Sequence, residues 1–119
     1  MKTLGDAELE IMQILWKAGE PVTALYVSEH LKENRSGWAI STVMTVLSNL
    51  CTKGFAECDR TKRRNMYSAV VDENSYKSSE TKKFLGRLYD NSLSAMLASF
   101  VEEEGLSEKE LDEIRKIIE

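Results

Sequence analysis

Apolar residues recur at three- and four-residue intervals near the start of the chain, where Leu9, Met12, Leu15 and Trp16 share one face and charged residues lie between them. This spacing predicts an amphipathic helix over residues 6–18, capped at Gly5 or Asp6 and stopped by Gly19, with Pro21 just beyond. Thr23 then offers an N-cap for a second helix running to about Lys32, with Ala24, Val27 and Leu31 inward, until Asn34, Ser36 and Gly37 break it. A third helix is predicted over residues 40–53, entered at Ser41 or the residue before it and closed by Gly54. Its faces separate: Val43, Val46, Leu47 and Leu50 form an apolar stripe, and Ser41, Thr42, Thr45, Ser48 and Asn49 lie opposite.

After Gly54 the period changes. Phe55, Glu57 and Asp59 alternate with Ala56, Cys58 and Arg60, and residues 65–71 are rich in strand formers around Tyr67, so a β-hairpin is expected. Its connection, Thr61-Lys62-Arg63-Arg64, is basic where a solvated turn more often carries Asn-Gly or Asp-Gly. From Asp72 or Ser75 to Glu104 the pattern is helical again, as one segment or two. Phe84, Leu85, Leu88, Tyr89, Leu93, Met96, Leu97, Phe100 and Val101 repeat there every three or four residues. Gly105 ends this stretch; Ser107 and Glu110 have capping-box spacing, Leu106 can staple onto Leu111, and Leu111, Ile114, Ile117 and Ile118 give a last helix its apolar face. The longer stripe extends past the reach of the shorter, so a second copy of the chain is the expected partner.

Composition narrows the function. A chain of 119 residues accommodates one ordinary domain, or a small domain with an appendage that needs a partner. No apolar run is long enough to span a membrane and no secretory signal begins the chain, so a cytoplasmic protein without membrane insertion is expected. Cys51 and Cys58 are the only cysteines and form no metal-binding spacing, so neither a disulfide framework, a metal site nor any other cofactor is expected. The net charge of −4 is unevenly placed. Residues 1–71 hold nine Lys and Arg against eight Asp and Glu, whereas residues 72–119 hold seven against twelve. Within the first part, Arg60, Lys62, Arg63 and Arg64 form a local basic patch. Resources for catalysis are thin: His30 is the sole histidine, Glu102, Glu103 and Glu104 point in successive directions, and no glycine-rich phosphate loop occurs, so an enzyme is not expected.

Three helices followed by a hairpin is the order of a winged helix-turn-helix. The expected fold is therefore mainly α with a small β wing: a winged-helix DNA-binding domain in residues 1–71 and a helical dimerisation domain in residues 72–119. An α-helix fits the major groove, where small polar side chains read base edges and apolar ones meet thymine methyls. The outer face of the third helix supplies Thr42, Thr45, Ser48 and Asn49, with Ser41 and Met44 at its margins, and residues 40–52 include no charged side chain. A solvated face in a chain that is 30% charged would usually carry Glu and Lys. The basic tip, Arg60, Lys62, Arg63 and Arg64, suits phosphates or the adjoining minor groove. The competing class is a winged-helix module that meets another protein through the same helix and tip.

The residues also carry a resemblance. Leu9-Glu10-Ile11-Met12 with Leu15-Trp16, Pro21-Val22-Thr23, the run from Trp38 to Leu47, Lys53-Gly54, the Arg63 to Tyr67 spacing, and Phe100-Val101 with Leu106-Ser107 and Glu110-Leu111 resemble the BlaI/MecI penicillinase repressors. The resemblance implies a homodimer, joined through its C-terminal helices, that binds a dyad-symmetric operator in double-stranded DNA and represses transcription, as in antibiotic resistance. It implies DNA contacts at Trp38, Ser41, Thr42, Met44, Thr45 and Asn49 and at Arg63, with Trp38 serving either as packing or as a phosphate contact. It implies dimerisation through Leu85, Leu88, Tyr89, Leu93, Met96, Leu97, Phe100, Val101, Leu111, Ile114 and Ile118, and relief of repression by a membrane sensor-protease cutting in the dimerisation helices. The family's Asn-Phe cleavage bond corresponds to Ser99-Phe100, where Ser departs from the pattern, and Lys62 replaces the wing glycine at an expected loss of backbone freedom. The tail lacks the CxC pairs of the copper-responsive relatives, which disfavours direct copper sensing.

Overall fold

The computed structural model describes residues 1–119. Its helices and strands run in the order α1 (Asp6–Ala18), α2 (Ala24–Glu29), a 3₁₀ turn (Glu33–Arg35), α3 (Ile40–Thr52), β1 (Ala56–Asp59), β2 (Met66–Ala69), α4 (Glu73–Leu88), α5 (Leu93–Glu103) and α6 (Glu108–Ile118). Two compact units result, Met1–Ser78 and Ser79–Glu119.

The first unit contains every fully buried side chain of the chain. α1 begins at Gly5, whose N–H donates to Glu8 Oε1 at 3.0 Å, and Gly19 closes it in the left-handed region at φ 68°. Ile11, Met12 and Leu15 are buried while Leu9 and Trp16 pack at the margin, so the apolar face is wider than the expected one by Ile11. Val27 of α2, Val43, Leu47 and Leu50 of α3, and Phe55, Ala56 and Tyr67 of the hairpin complete this core with Leu4, Val22 and Tyr76. The hairpin is antiparallel and pairs Ala56 with Ala69 and Asp59 with Met66. Val22 lies outside the predicted hairpin and adds a third strand position. Val22 bridges Tyr67 on the side away from β1, exchanging N–H···O bonds of 2.9 and 2.7 Å.

α2 ends at Glu29, short of the expected Lys32, and the reason is a contact far away in sequence. Glu10 of α1, only 5% exposed, accepts from the Lys32 backbone N–H and from Arg35 Nη1, each at 2.6 Å. That carboxylate draws residues 32–35 out of the helical path and into the 3₁₀ turn, leaving Leu31 half-buried. The expected boundary at residues 71 and 72 falls before the start of α4, yet Tyr76 belongs to the first unit. Its hydroxyl accepts from the Leu4 N–H at 2.9 Å and its ring meets Phe55 edge-on at 5.8 Å.

In the second unit the long apolar stripe is two helices. Asp90 and Asn91 adopt positive φ of 51° and 65°, and Ser92 starts α5 by accepting from the Ala95 N–H at 3.0 Å. Gly105 (φ 73°) ends α5, and Ser107 caps α6 by accepting from the Glu110 N–H at 3.2 Å. No residue from Ser79 to Glu119 is fully buried. No helix of the chain is long and apolar enough to cross a membrane.

Candidate nucleic-acid interface

Helix α3 carries the candidate reading surface because its two faces meet opposite environments. With Val43, Leu47 and Leu50 fully buried, Ser41, Thr42, Met44, Thr45, Ser48 and Asn49 all stand exposed, Met44 at 43%. The helix starts from Ala39, two positions earlier than a Ser41 cap, and Ala39 offers no side-chain acceptor. Its first turn holds no acid, so the positive end of the helix dipole is left uncompensated by its own residues. Within the helix the Thr45 hydroxyl donates back to the Ser41 carbonyl at 3.0 Å. Thr45 therefore presents a methyl group and acceptor lone pairs outward, a combination suited to a thymine methyl or a base amino group.

Trp38 sits before α3, half-buried against the core, with the Arg35 guanidinium 5.6 Å over its ring. Packing accounts for most of its surface. Arg35 is in turn ion-paired to Glu10, so a chain of contacts runs from α1 to the start of α3. Periodicity carries no sign of this, since Glu10 shares α1 with Asp6 and Glu8 and nothing in its spacing marks it for burial.

The basic tip is the connection between β1 and β2, and Arg60, Lys62, Arg63 and Arg64 are all exposed. Asp59 shapes its start: one carboxylate oxygen accepts from the Thr61 hydroxyl at 2.6 Å and from the Thr61 N–H at 2.9 Å. Those two bonds, the hydroxyl's first, hold the Asp59 carboxyl below its ordinary range, with Lys62 adding to the effect. No residue of this connection has positive φ, so Lys62 stands in place of glycine without backbone strain.

The structure brings the tip and the helix together. Arg63, Arg64, Asn65 and Met44 line one cleft of about 330 Å³ with Ala24 and Leu25 of α2 and its cap residue Thr23. The α2 residues were absent from the candidate set; the signal that could have found them is Leu25, an apolar residue 49% exposed on the outer side of the helix preceding α3. Behind the tip, Cys51 and Cys58 are free, half-buried thiols. Burial, helped by Cys58 and Glu57 against Arg60, pushes the Cys51 thiol up, which keeps it protonated. Burial likewise raises the Tyr67 phenol. No group of three or more His, Cys, Asp or Glu is arranged to hold a metal ion.

The tail candidates divide by exposure. Leu85, Tyr89, Met96, Leu97, Leu111 and Ile114 are half-buried, whereas Leu88, Leu93, Phe100, Val101 and Ile118 are exposed, Ile118 at 77%. Ser99 is half-buried within α5, and the Phe100 carbonyl accepts from the N–H groups of Glu104 and Gly105.

Three helices, a bridging strand position and a two-stranded wing beside the third helix define a winged helix-turn-helix protein. Residues 4–119 match the penicillinase repressor family, and the chain belongs to that family. It is 32% identical over 118 residues to the penicillinase repressor of Bacillus licheniformis, covering 98% of this chain and 89% of that protein. Identity to the methicillin resistance regulatory protein MecI of Mammaliicoccus sciuri is 29% over 115 residues, covering 97% of this chain and 92% of the relative. Among solved structures, the monomeric form of Bacillus licheniformis BlaI in complex with the blaP half-operator is similar, with a TM-score of 0.51 and 31% identity over 63% of this chain and 89% of that one.

Proposed function

We propose that the chain is a sequence-specific, DNA-binding transcriptional repressor that works as a homodimer on a dyad-symmetric operator in the cytoplasm and performs no catalysis. The observation that carries the reading is the uncharged, exposed face of α3 beside the basic tip, both attached to one rigid core. The BlaI chain bound to its half-operator supports it, as do relatives that are repressors by name. Residues 1–71 do the binding in this reading. Ser41, Thr42, Met44, Thr45, Ser48 and Asn49 face the major groove, Arg60, Lys62, Arg63 and Arg64 meet phosphate or minor groove, and Trp38 acts chiefly as packing.

Residues 72–119 dimerise. The exposed apolar side chains of α4, α5 and α6 are what a second copy would cover, and pairing sets the distance between half-sites. A membrane sensor-protease that cut at Ser99-Phe100 would relieve repression, although Ser99 departs from the family's Asn at that bond. Because proteases bind extended backbone, that cut requires the last turns of α5 to open first.

Salt titration tests the reading. Affinity for duplex DNA selected by the protein from a random pool should fall with a log-log slope near −0.9 per neutralised phosphate. A folded dimer that bound no duplex even at low salt would overturn it and favour the protein-contact module.

A further inference from the structure

We propose that the cleft between α1 and α2 is an effector site for a small planar organic anion. The cleft encloses about 430 Å³, within the range of small-molecule sites of roughly 300–1,000 Å³. Its composition selects the ligand. Ile14 and Ala18 of α1 give an apolar floor. On the opposite wall Tyr26 and His30 stack with centroids 4.1 Å apart and planes at 22°, and the ring of His30 is fixed by a 2.8 Å hydrogen bond between Nδ1 and the Tyr26 carbonyl. That pair offers a flat π surface already in place.

Charge supplies the second half of the argument. Lys17 and Lys32 border the cleft and neither ammonium makes an ion pair. The one carboxylate in the lining, Glu10, is neutralised by Arg35. The lining is therefore cationic at its rim and apolar and aromatic within, and Gln13 adds an amide able to accept or donate. An aromatic or otherwise planar carboxylate satisfies all three features.

The same lining connects to the candidate interface. Lys32 borders the cleft, while its backbone N–H is held by Glu10; Glu10 also holds Arg35, which lies over Trp38 before the start of α3. An anion that draws the Lys32 ammonium into the cleft pulls on the backbone N–H that Glu10 holds, loosening the contact that sets the lead into α3. This regulatory half rests on the repressor reading, whereas binding in the cleft does not.

The test uses the full-length, ¹⁵N-labelled chain with 2-naphthoate as probe and 2-naphthylmethanol as its uncharged counterpart. Saturable amide shifts are expected in residues 13–18 and 26–32, with affinity lower by about tenfold for the alcohol and for the Lys17→Gln, Lys32→Gln double variant. Shifts spread over other surfaces, or equal binding of acid and alcohol, would overturn the site. Saturating naphthoate should then weaken binding to the selected duplex several-fold in the native chain and not in the double variant; unchanged DNA affinity would overturn the effector role. Failure to bind duplex DNA without naphthoate would instead sink the repressor reading, and the amide shifts would still decide the site.

Discussion

The two units solve opposite problems with similar helices. From Met1 to Ser78 the chain buries side chains from three helices, a hairpin and the start of α4, and its one buried charge is paired and hydrogen-bonded. From Ser79 to Glu119 there is comparable apolar content and no buried residue at all. The difference lies in geometry rather than in hydrophobicity. Helices in the first unit approach one another from several directions around a hairpin, so each apolar stripe faces another. In the second, α4, α5 and α6 leave Leu88, Leu93, Phe100 and Val101 about half exposed. In the proposed homodimer a second copy would cover these side chains, and the stability of this unit would then depend on protomer concentration.

Substitutions can break that contrast. The largest effect is expected for Phe55→Ala, which empties a fully buried site and should remove about 3–5 kcal/mol from the unfolding free energy of the first unit in urea titration. Phe100→Asp should leave that transition in place and convert dimer to monomer by sedimentation; a lost transition would show that the first unit leans on the second. Next comes Glu10→Ala, which strands Arg35 and the Lys32 N–H and should destabilise the first unit by about 2–4 kcal/mol. Glu10→Gln should recover part of this loss in the same titration, since an amide oxygen can still accept one of the two bonds.

A smaller effect sharpens the division of labour. Arg63→Ala and Arg64→Ala should each flatten the salt dependence of half-site binding by about one phosphate contact, and do so equally in the native chain and in Phe100→Asp. Unequal changes would mean that dimerisation alters the tip. The smallest effect belongs to Glu8. Its hydrogen bond from Lys53 Nζ, 2.6 Å long, is the main reason its carboxyl titrates below the ordinary range. A depressed carboxyl stabilises the fold fully above the unfolded-state value near pH 4.3, and this contribution disappears as the pH falls through the folded value. Lys53→Met should remove that acid-side loss, at most about 1 kcal/mol for so peripheral a pair, as read by denaturation at pH 3 and pH 7.

Local pattern made much of this legible. α1, α3, the hairpin and the capped start of α6 follow from periodicity and from Gly19, Gly54 and Ser107, because the forces that shape them act within a few residues. What stayed hidden depends on contacts distant in sequence. The end of α2 is decided by Glu10, the placement of Tyr76 by Leu4 and Phe55, and the strand at Val22 by a single paired residue that has no period to detect. Periodicity allows one helix or two across α4 and α5, although Asp90 and Asn91 are the residue types that tolerate positive φ. In the candidate site, the outer face of α3 and the basic tip were visible in composition, whereas Leu25 joins them only through the packing of α2.

The Val22 bridge has a consequence for the speed and selectivity of association. Tyr67 faces Cys58 on one side and is hydrogen-bonded to Val22 on the other, so the root of the hairpin is bolted to the segment that launches α2. Helix and tip thus share a footing before any duplex arrives, and little conformational entropy is left to lose on docking. A preset jaw of this kind rejects a mismatched groove by shape instead of moulding itself to it.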